Sequence, residues 1–167
     1  MKTAWLAARS LFWTVLFPGT IAGFIPWRVF GVREVALDLT HPSMVIALAI
    51  IATGAAILGV TVWEFAHHGR GTLSPADPPR TLVVRGLYRY VRNPMYLGVT
   101  LVLLGEALLV GRAGLVLYWA AWFTAVNLFV MAYEEPYLRA QFGESYERYT
   151  REVGRWIPRI PRSELKG

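Results

Sequence analysis

Long apolar runs alternate with short, basic polar stretches along this chain. The first run extends from about Leu11 to Phe30, is interrupted by Pro18 and Pro26, and carries Arg28 near its end. The second, Ser43 to about Phe65, is cleaner and follows Pro42, a residue suited to a helix start. The third, Met95 to Gly111, is short and contains Glu106, and the fourth, Ala113 to about Tyr133, is rich in Trp, Phe and Val. A bilayer-spanning helix needs ~20 apolar residues, with a range of roughly 17–25. Runs one, two and four meet that requirement, and run three meets it only marginally, with tilt. Gly111-Arg112-Ala113-Gly114 is a tight connection and predicts an antiparallel hairpin of runs three and four. Beyond it, Tyr137 to Gly167 reads as one or two short amphipathic helices divided by Gly143. Tyr137, Leu138 and Phe142 line one side of the first, and Tyr146, Tyr149 and Val153 share a face of the second. Trp156-Ile157-Pro158 ends the ordered part, and the last residues are expected to fray. The expected fold is all-α: a polytopic membrane protein of about four transmembrane helices, with a C-terminal helical hairpin and cytoplasmic amphipathic tail helices.

Composition supports a bilayer. The 167 residues are 55% apolar, with a mean hydropathy of +0.40, more than one soluble core of this size requires. Seven Trp and eight Tyr suit interfacial belts. The first run lacks a small-residue cleavage site after a short apolar core, so it does not read as a signal peptide. Cysteine is absent, which excludes disulfides, thiolate nucleophiles and Cys-based metal sites. The net charge of +6 comes from basic residues flanking the apolar runs, a pattern that fits anionic lipid and topology control better than nucleic acid. With four spans, 14 Lys and Arg fall on the side of the termini and the middle loop, and 3 on the other side. The positive-inside rule then places both termini in the cytoplasm. The whole of 1–167 reads as one membrane domain. Residues 1–65 form its first two spans and 66–92 a cytoplasmic loop, with a Gly/Pro-rich half (Gly69 to Pro79) and a β-prone half (Thr81 to Val84).

Three groups of residues have chemical potential. Arg92-Asn93-Pro94-Met95-Tyr96 lies where the loop enters the third run. Asn93 suits an N-cap and Pro94 a first helical turn. The stretch is either a capped start with snorkelling arginines or an anion site built from a helix start with Arg89 or Arg92. Glu134-Glu135, before Pro136, is acidic where a helix C-terminus is already negative. The pair either bridges to Arg89 or Arg92 or binds a cation. Glu106 lies inside the third run, where an ionisable group faces a bundle interior or a wet crevice, and Asn127 is its candidate partner. His67 and His68 follow Glu64, but no second ligand pair completes a metal site, so none is expected. There is no nucleophile elbow, Walker loop or Rossmann fingerprint.

Taken together, the order Gly86, Tyr88, Arg89, Arg92, Pro94, Tyr96, Gly98, then a helical hairpin, then Glu134 and Glu135, then Phe142, Gly143, Tyr146, Tyr149 and Ile157-Pro158 resembles a known group. It is similar to the integral membrane methyltransferases of the isoprenylcysteine carboxyl methyltransferase and phospholipid methyltransferase family. The likeness covers about Val83 to Ile160, nearly half the chain. It implies an S-adenosylmethionine-dependent methyltransferase whose cofactor is bound on the cytoplasmic side by the last two spans, the preceding loop and the tail. It also implies a lipophilic acceptor arriving from the bilayer: a lipid amine, a prenylcysteine-like carboxylate or a small thiol. On this resemblance the cofactor-binding residues are Val84, Gly86, Tyr88, Arg89, Arg92, Asn93, Pro94, Tyr96, Gly98, Tyr133, Glu134 and Glu135, and the catalytic ones are Arg92, Glu135 and Glu106. Arg92 and the helix start at Asn93 suit the cofactor's carboxylate, Glu134 or Glu135 its ammonium or ribose, and Tyr88, Tyr96 and Tyr133 its cation or purine. Isoprenylcysteine enzymes usually carry His in place of Asn93, so Asn-Pro-Met-Tyr is closer to the phospholipid-type members. The first half matches no particular member, and acceptor selectivity is expected there.

Two other classes compete. Sterol-type membrane reductases that use NADPH have a related Arg-x-Pro-x-Tyr pattern, but they are longer chains and need more basic residues for the cofactor's phosphates. A non-catalytic membrane protein of the same fold would not need Arg92, Tyr96 and the Glu pair together.

Overall fold

The computed structural model describes residues 16–68, 82 and 84–160. The start of the first run at Leu11, the Gly69–Pro79 half of the loop, Thr81, Val83, the side chains of His67 and His68, and the residues after Ile160 lie outside the described residues. So do Lys2, Arg9, Arg70, Arg80, Arg162 and Lys166 of the charge count. The described chain is helical. Helix α1 is seen from residue 16 to Val29 and contains a π-helical turn, Thr20–Phe24. Helix α2 is Pro42–His68, α3 is Pro94–Val110, α4 runs through Ala113–Phe142, and α5 is Glu144–Glu152. Short 3-10 turns occupy Val32–Glu34 and Gly86–Arg89. Among the described residues there is no strand at the β-prone segment. Among them the only ladder-like contact is a single parallel bridge between Val91 and Gly154.

Among the described residues two helices are long and apolar enough to cross a bilayer: Pro42–Glu64 within α2, and α4. Helix α3 has 17 residues and is shorter. The outward faces of α2 and α4 carry Val45, Ile46, Val60, Trp63, Leu117 and Leu128, all exposed. Helices with apolar faces of this extent suit a hydrocarbon solvent and point to an integral membrane protein.

Helices α2 and α3 meet along small residues. A Cβ at Gly54 would fall 2.7 Å from the Gly98 carbonyl, one at Gly98 would meet Leu58, and one at Gly105 would fall 2.7 Å from the Ala47 carbonyl. The backbones therefore touch directly, the packing mode that replaces hydrophobic drive inside lipid. On the adjoining face Val99, Val102 and Leu103 pack with Ala22 of α1, together with Tyr118 and Trp122 of α4. The α3–α4 hairpin turns at Gly111, whose φ of 66° is left-handed, as the sequence predicts.

The fourth apolar run does not stop near Tyr133. Helix α4 continues as Ala113–Phe129, a π-turn Val130–Glu134 and Glu135–Phe142. Proline at 136 lacks the N–H that the α-helical ladder needs, and the chain absorbs this by widening one turn. The Glu135 N–H reaches back five residues to the Val130 carbonyl. Helix α1 repeats the device ahead of Pro26, where the Ile25 N–H bonds the Thr20 carbonyl. Gly143, at φ 52°, then reverses the chain into α5, so that Tyr146, Tyr149 and Val153 bury against Val84 with Leu138 and Phe142 beside them.

Candidate functional site

The tail folds back over the junction between the loop and α3. The Arg92 N–H donates to the Gly154 carbonyl at 2.9 Å and the Arg159 N–H to the Tyr90 carbonyl at 2.8 Å. The Tyr149 hydroxyl donates to the Tyr88 carbonyl at 2.7 Å, and the Trp156 indole donates to Asn127 Oδ1 on α4 at 2.9 Å. Asn93 and Pro94 take the N-cap and first-turn positions of α3, but the Asn93 side chain does not cap the helix. Its Nδ2 instead donates to the Arg155 carbonyl at 3.3 Å, so the tail has claimed the polar group that local chemistry assigns to the helix end.

Glu135 is buried at the centre of a basic cluster. Arg155 binds it with both arms, Nε to Oε1 at 2.6 Å and Nη2 to Oε2 at 3.0 Å. Arg92 Nη1 stands 3.1 Å from Oε1, and Arg139 Nη2 stands 3.6 Å from Oε2. The hydrogen bond from Arg155 to Glu135 holds the guanidinium above its ordinary value. Arg92 is itself only partly satisfied. Although Nη1 is at ion-pair distance, its N–H is not aimed at the carboxylate, and both Nε and Nη1 are buried without a hydrogen-bond partner.

Glu134 has the opposite character. Its contact is with Tyr96, whose hydroxyl donates to Oε2 at 3.2 Å, and among the described residues no basic side chain pairs with it. Tyr96 is fixed from behind, since its carbonyl accepts from Thr100 Oγ1 and Thr100 accepts from the Trp122 indole. Tyr88 lies within electrostatic reach of Glu134 and Glu64, and its phenol is raised well above the ordinary value, by burial first and by Glu134 next. Burial raises Tyr149 as well. An arginine edge seeking an anion, at Glu135, and a carboxylate seeking a cation, at the adjacent Glu134, both lie within electrostatic reach of Tyr146. Such needs are met by an anionic and a cationic group respectively.

The structure brings together Tyr88, Arg92, Asn93, Pro94, Tyr96, Glu134 and Glu135. It leaves others apart. Arg89 is exposed at the end of its 3-10 turn, and the salt bridge to the acidic pair comes from Arg92 alone of the two arginines proposed. Tyr133 is exposed and stacks on Tyr137. Val84 belongs to the tail core and Gly98 to the α2–α3 seam. Glu106 is ten residues beyond Tyr96 on α3, about 15 Å along the axis at 1.5 Å per residue. It is buried, and its Oε2 has no partner; Asn127, its expected partner, is taken by Trp156. Among the described residues no group of three His, Cys, Asp or Glu lies together.

Two contributors were missed by sequence reasoning. Arg155 sits in a run of tail arginines, and nothing in the spacing distinguishes it. Glu64 ends the second span. Its Oε2 accepts the Leu87 N–H at 3.4 Å, and its carboxylate lies where a side chain at Gly86 would project.

A family model described as phospholipid methyltransferase matches residues 42–145. Over 88 residues the chain is 38% identical to the protein-S-isoprenylcysteine O-methyltransferase of Schizosaccharomyces pombe, a stretch covering 53% of this chain and 37% of that protein. Over 63 residues it is 38% identical to an uncharacterised protein of Haemophilus influenzae, covering 38% of this chain and all of that protein.

Proposed function

The chain belongs to the phospholipid methyltransferase family, and on that premise we propose that it is an integral membrane methyltransferase that uses S-adenosylmethionine to methylate a lipophilic acceptor. The observation that carries the reading is the unmet Arg92 edge at Glu135 together with the uncompensated carboxylate of the adjacent Glu134. Arg92 holds the cofactor's carboxylate, with Glu135 and Arg155 fixing its position. Glu134, braced by Tyr96, holds the ammonium. When bound, the cofactor supplies a methyl group on a positively charged sulfur. Transfer is an in-line displacement, so the residues contribute position and exclusion of water more than proton abstraction. The tail, docked through Tyr149, Trp156 and Arg159, covers the site.

Glu106, remote from this cluster, serves the bundle or the acceptor end rather than the transferred methyl. Tyr133 faces lipid. The chain crosses the bilayer four times, with α1 and α3 as the two spans besides α2 and α4. The distribution of Lys and Arg supports placing both termini and the cofactor site in the cytoplasm. The acceptor is a membrane lipid or a lipid-modified molecule, in keeping with the name of the fission yeast relative.

Calorimetric titration of detergent-purified protein with S-adenosylmethionine and, separately, with NADPH tests the reading. Binding of the first alone is expected. Binding of NADPH alone moves the chain to the reductases, and binding of neither in a folded sample overturns the cofactor assignment.

A further inference from the structure

The two π-turns among the described residues create the same backbone group and treat it differently. In α1 the Ile25 N–H bonds the Thr20 carbonyl, and residue 26 is proline, so the Ile21 carbonyl has no main-chain N–H within helical reach. The Tyr118 hydroxyl fills that vacancy from α4, donating to the Ile21 carbonyl at 3.1 Å. In α4 the Glu135 N–H bonds the Val130 carbonyl, and residue 136 is proline. By the same register the Met131 carbonyl has no main-chain donor, and here no side chain among the described residues takes its place.

A carbonyl without a donor is costly in a membrane helix and persists where it faces protein or a wet cavity. Widened turns with free carbonyls also recur at ligand sites in membrane helices. Met131 precedes the acidic pair by a single turn, and helix carbonyls point toward the C-terminal end, so this one points toward the turn that carries Glu134. Its chemistry is that of a neutral, fixed acceptor beside a carboxylate, which suits an N–H-bearing cation.

We infer that the main-chain carbonyl of Met131 is a ligand-binding group that accepts a hydrogen bond from an ammonium or amine. This rests on the methyltransferase reading, in which the N–H donor is either the amino-acid end of the cofactor or an amine acceptor. Pro136 is then the residue that keeps this carbonyl available, which gives the Glu-Glu-Pro sequence a role beyond its two charges.

The test uses full-length detergent-purified protein in which methionine is isotopically labelled at the carbonyl carbon, with Met131→Leu identifying the Met131 band in infrared difference spectra. S-adenosylhomocysteine and a short-chain phosphatidylethanolamine are added separately, and binding of each is followed in parallel by calorimetry. A move of the Met131 band to lower wavenumber with either probe supports the inference and says which molecule supplies the N–H. Calorimetric binding with no change in that band overturns it and leaves the methyltransferase reading intact. Absence of binding by both probes overturns both. Pro136→Ala, which supplies an N–H at residue 136, is expected to lower the band before any ligand is added. It should also weaken the binding of the responding probe about tenfold, the loss of one hydrogen bond; unchanged affinity with a lowered band counts against the inference.

Discussion

The carboxylate of Glu64 occupies the space into which a side chain at Gly86 would project, and it accepts the N–H of Leu87. Gly86 also has a φ of 53°, in the left-handed region. The two requirements coincide: the loop turns sharply so that its backbone can rest on the end of α2. Gly86→Ala should therefore meet both strain, about 1–3 kcal/mol, and collision with Glu64. The expected result is weaker binding of S-adenosylmethionine and a lower unfolding temperature in detergent. Glu64→Gln, which keeps an acceptor for Leu87, should retain most of both.

Glu135 and Glu134 should respond differently to substitution. Glu135→Ala leaves Arg92 and Arg155 around an emptied centre, and removal of one partner from a buried ionic cluster costs about 3–5 kcal/mol. The tail should undock, seen as rapid proteolytic cleavage after residue 143 along with loss of cofactor binding. A Glu135→Ala protein with a protease-resistant tail would argue against the cluster as the anchor.

Glu134→Gln keeps an acceptor for the Tyr96 hydroxyl and removes only the charge. The fold should be unaffected, while affinity for S-adenosylmethionine falls by about 1.5–3 kcal/mol, the range for a hydrogen bond to a charged group. Calorimetry together with a thermal scan separates the two effects.

The helix seam predicts a stability effect far from the site. Gly54→Val places methyl groups against the Gly98 carbonyl and Val102. Overpacking of this kind costs about 1–3 kcal/mol, and the loss should appear as a lower detergent unfolding temperature with cofactor affinity per folded molecule nearly unchanged.

Tyr149 gives a pH dependence. Burial raises its phenol above the ordinary value of 10.0, so the folded tail holds the proton more tightly than the unfolded chain. The stabilisation is complete below pH 10 and is lost as pH rises through the folded value. The tail should stay protease-resistant as pH approaches 10 and release above it. Tyr149→Phe should remove that alkaline dependence and lower stability at neutral pH by about 1 kcal/mol for the lost bond to Tyr88.

The parts of this architecture that were legible in the sequence are those encoded locally. The α2 run, the Gly111 hairpin and the spacing of Tyr146, Tyr149 and Val153 each follow from apolar period and turn chemistry. The ordered motif from Gly86 to Tyr149 located most of the cluster. Contacts between distant segments were not legible. Asn93 has the chemistry of a helix cap, and only the returning tail shows that Arg155 takes its amide. Pro136 reads as a helix breaker, yet the helix survives it, because one widened turn is cheaper than abandoning the packing of α4. Glu106 reads as a partner for the site, but the rise of α3 carries it about 15 Å along the helix from Tyr96.

The returning tail also sets a timetable. The strap from Tyr149 to Arg159 is made of the last segment of the described chain to leave the ribosome. The helical hairpin can insert while that segment is still being synthesised, but Arg155 cannot reach Glu135 until translation has passed it. Insertion and maturation of the site are therefore separate events in the life of the molecule. A ribosome stalled before Arg155 would leave a membrane-embedded protein in which Glu135 lacks its two-armed partner.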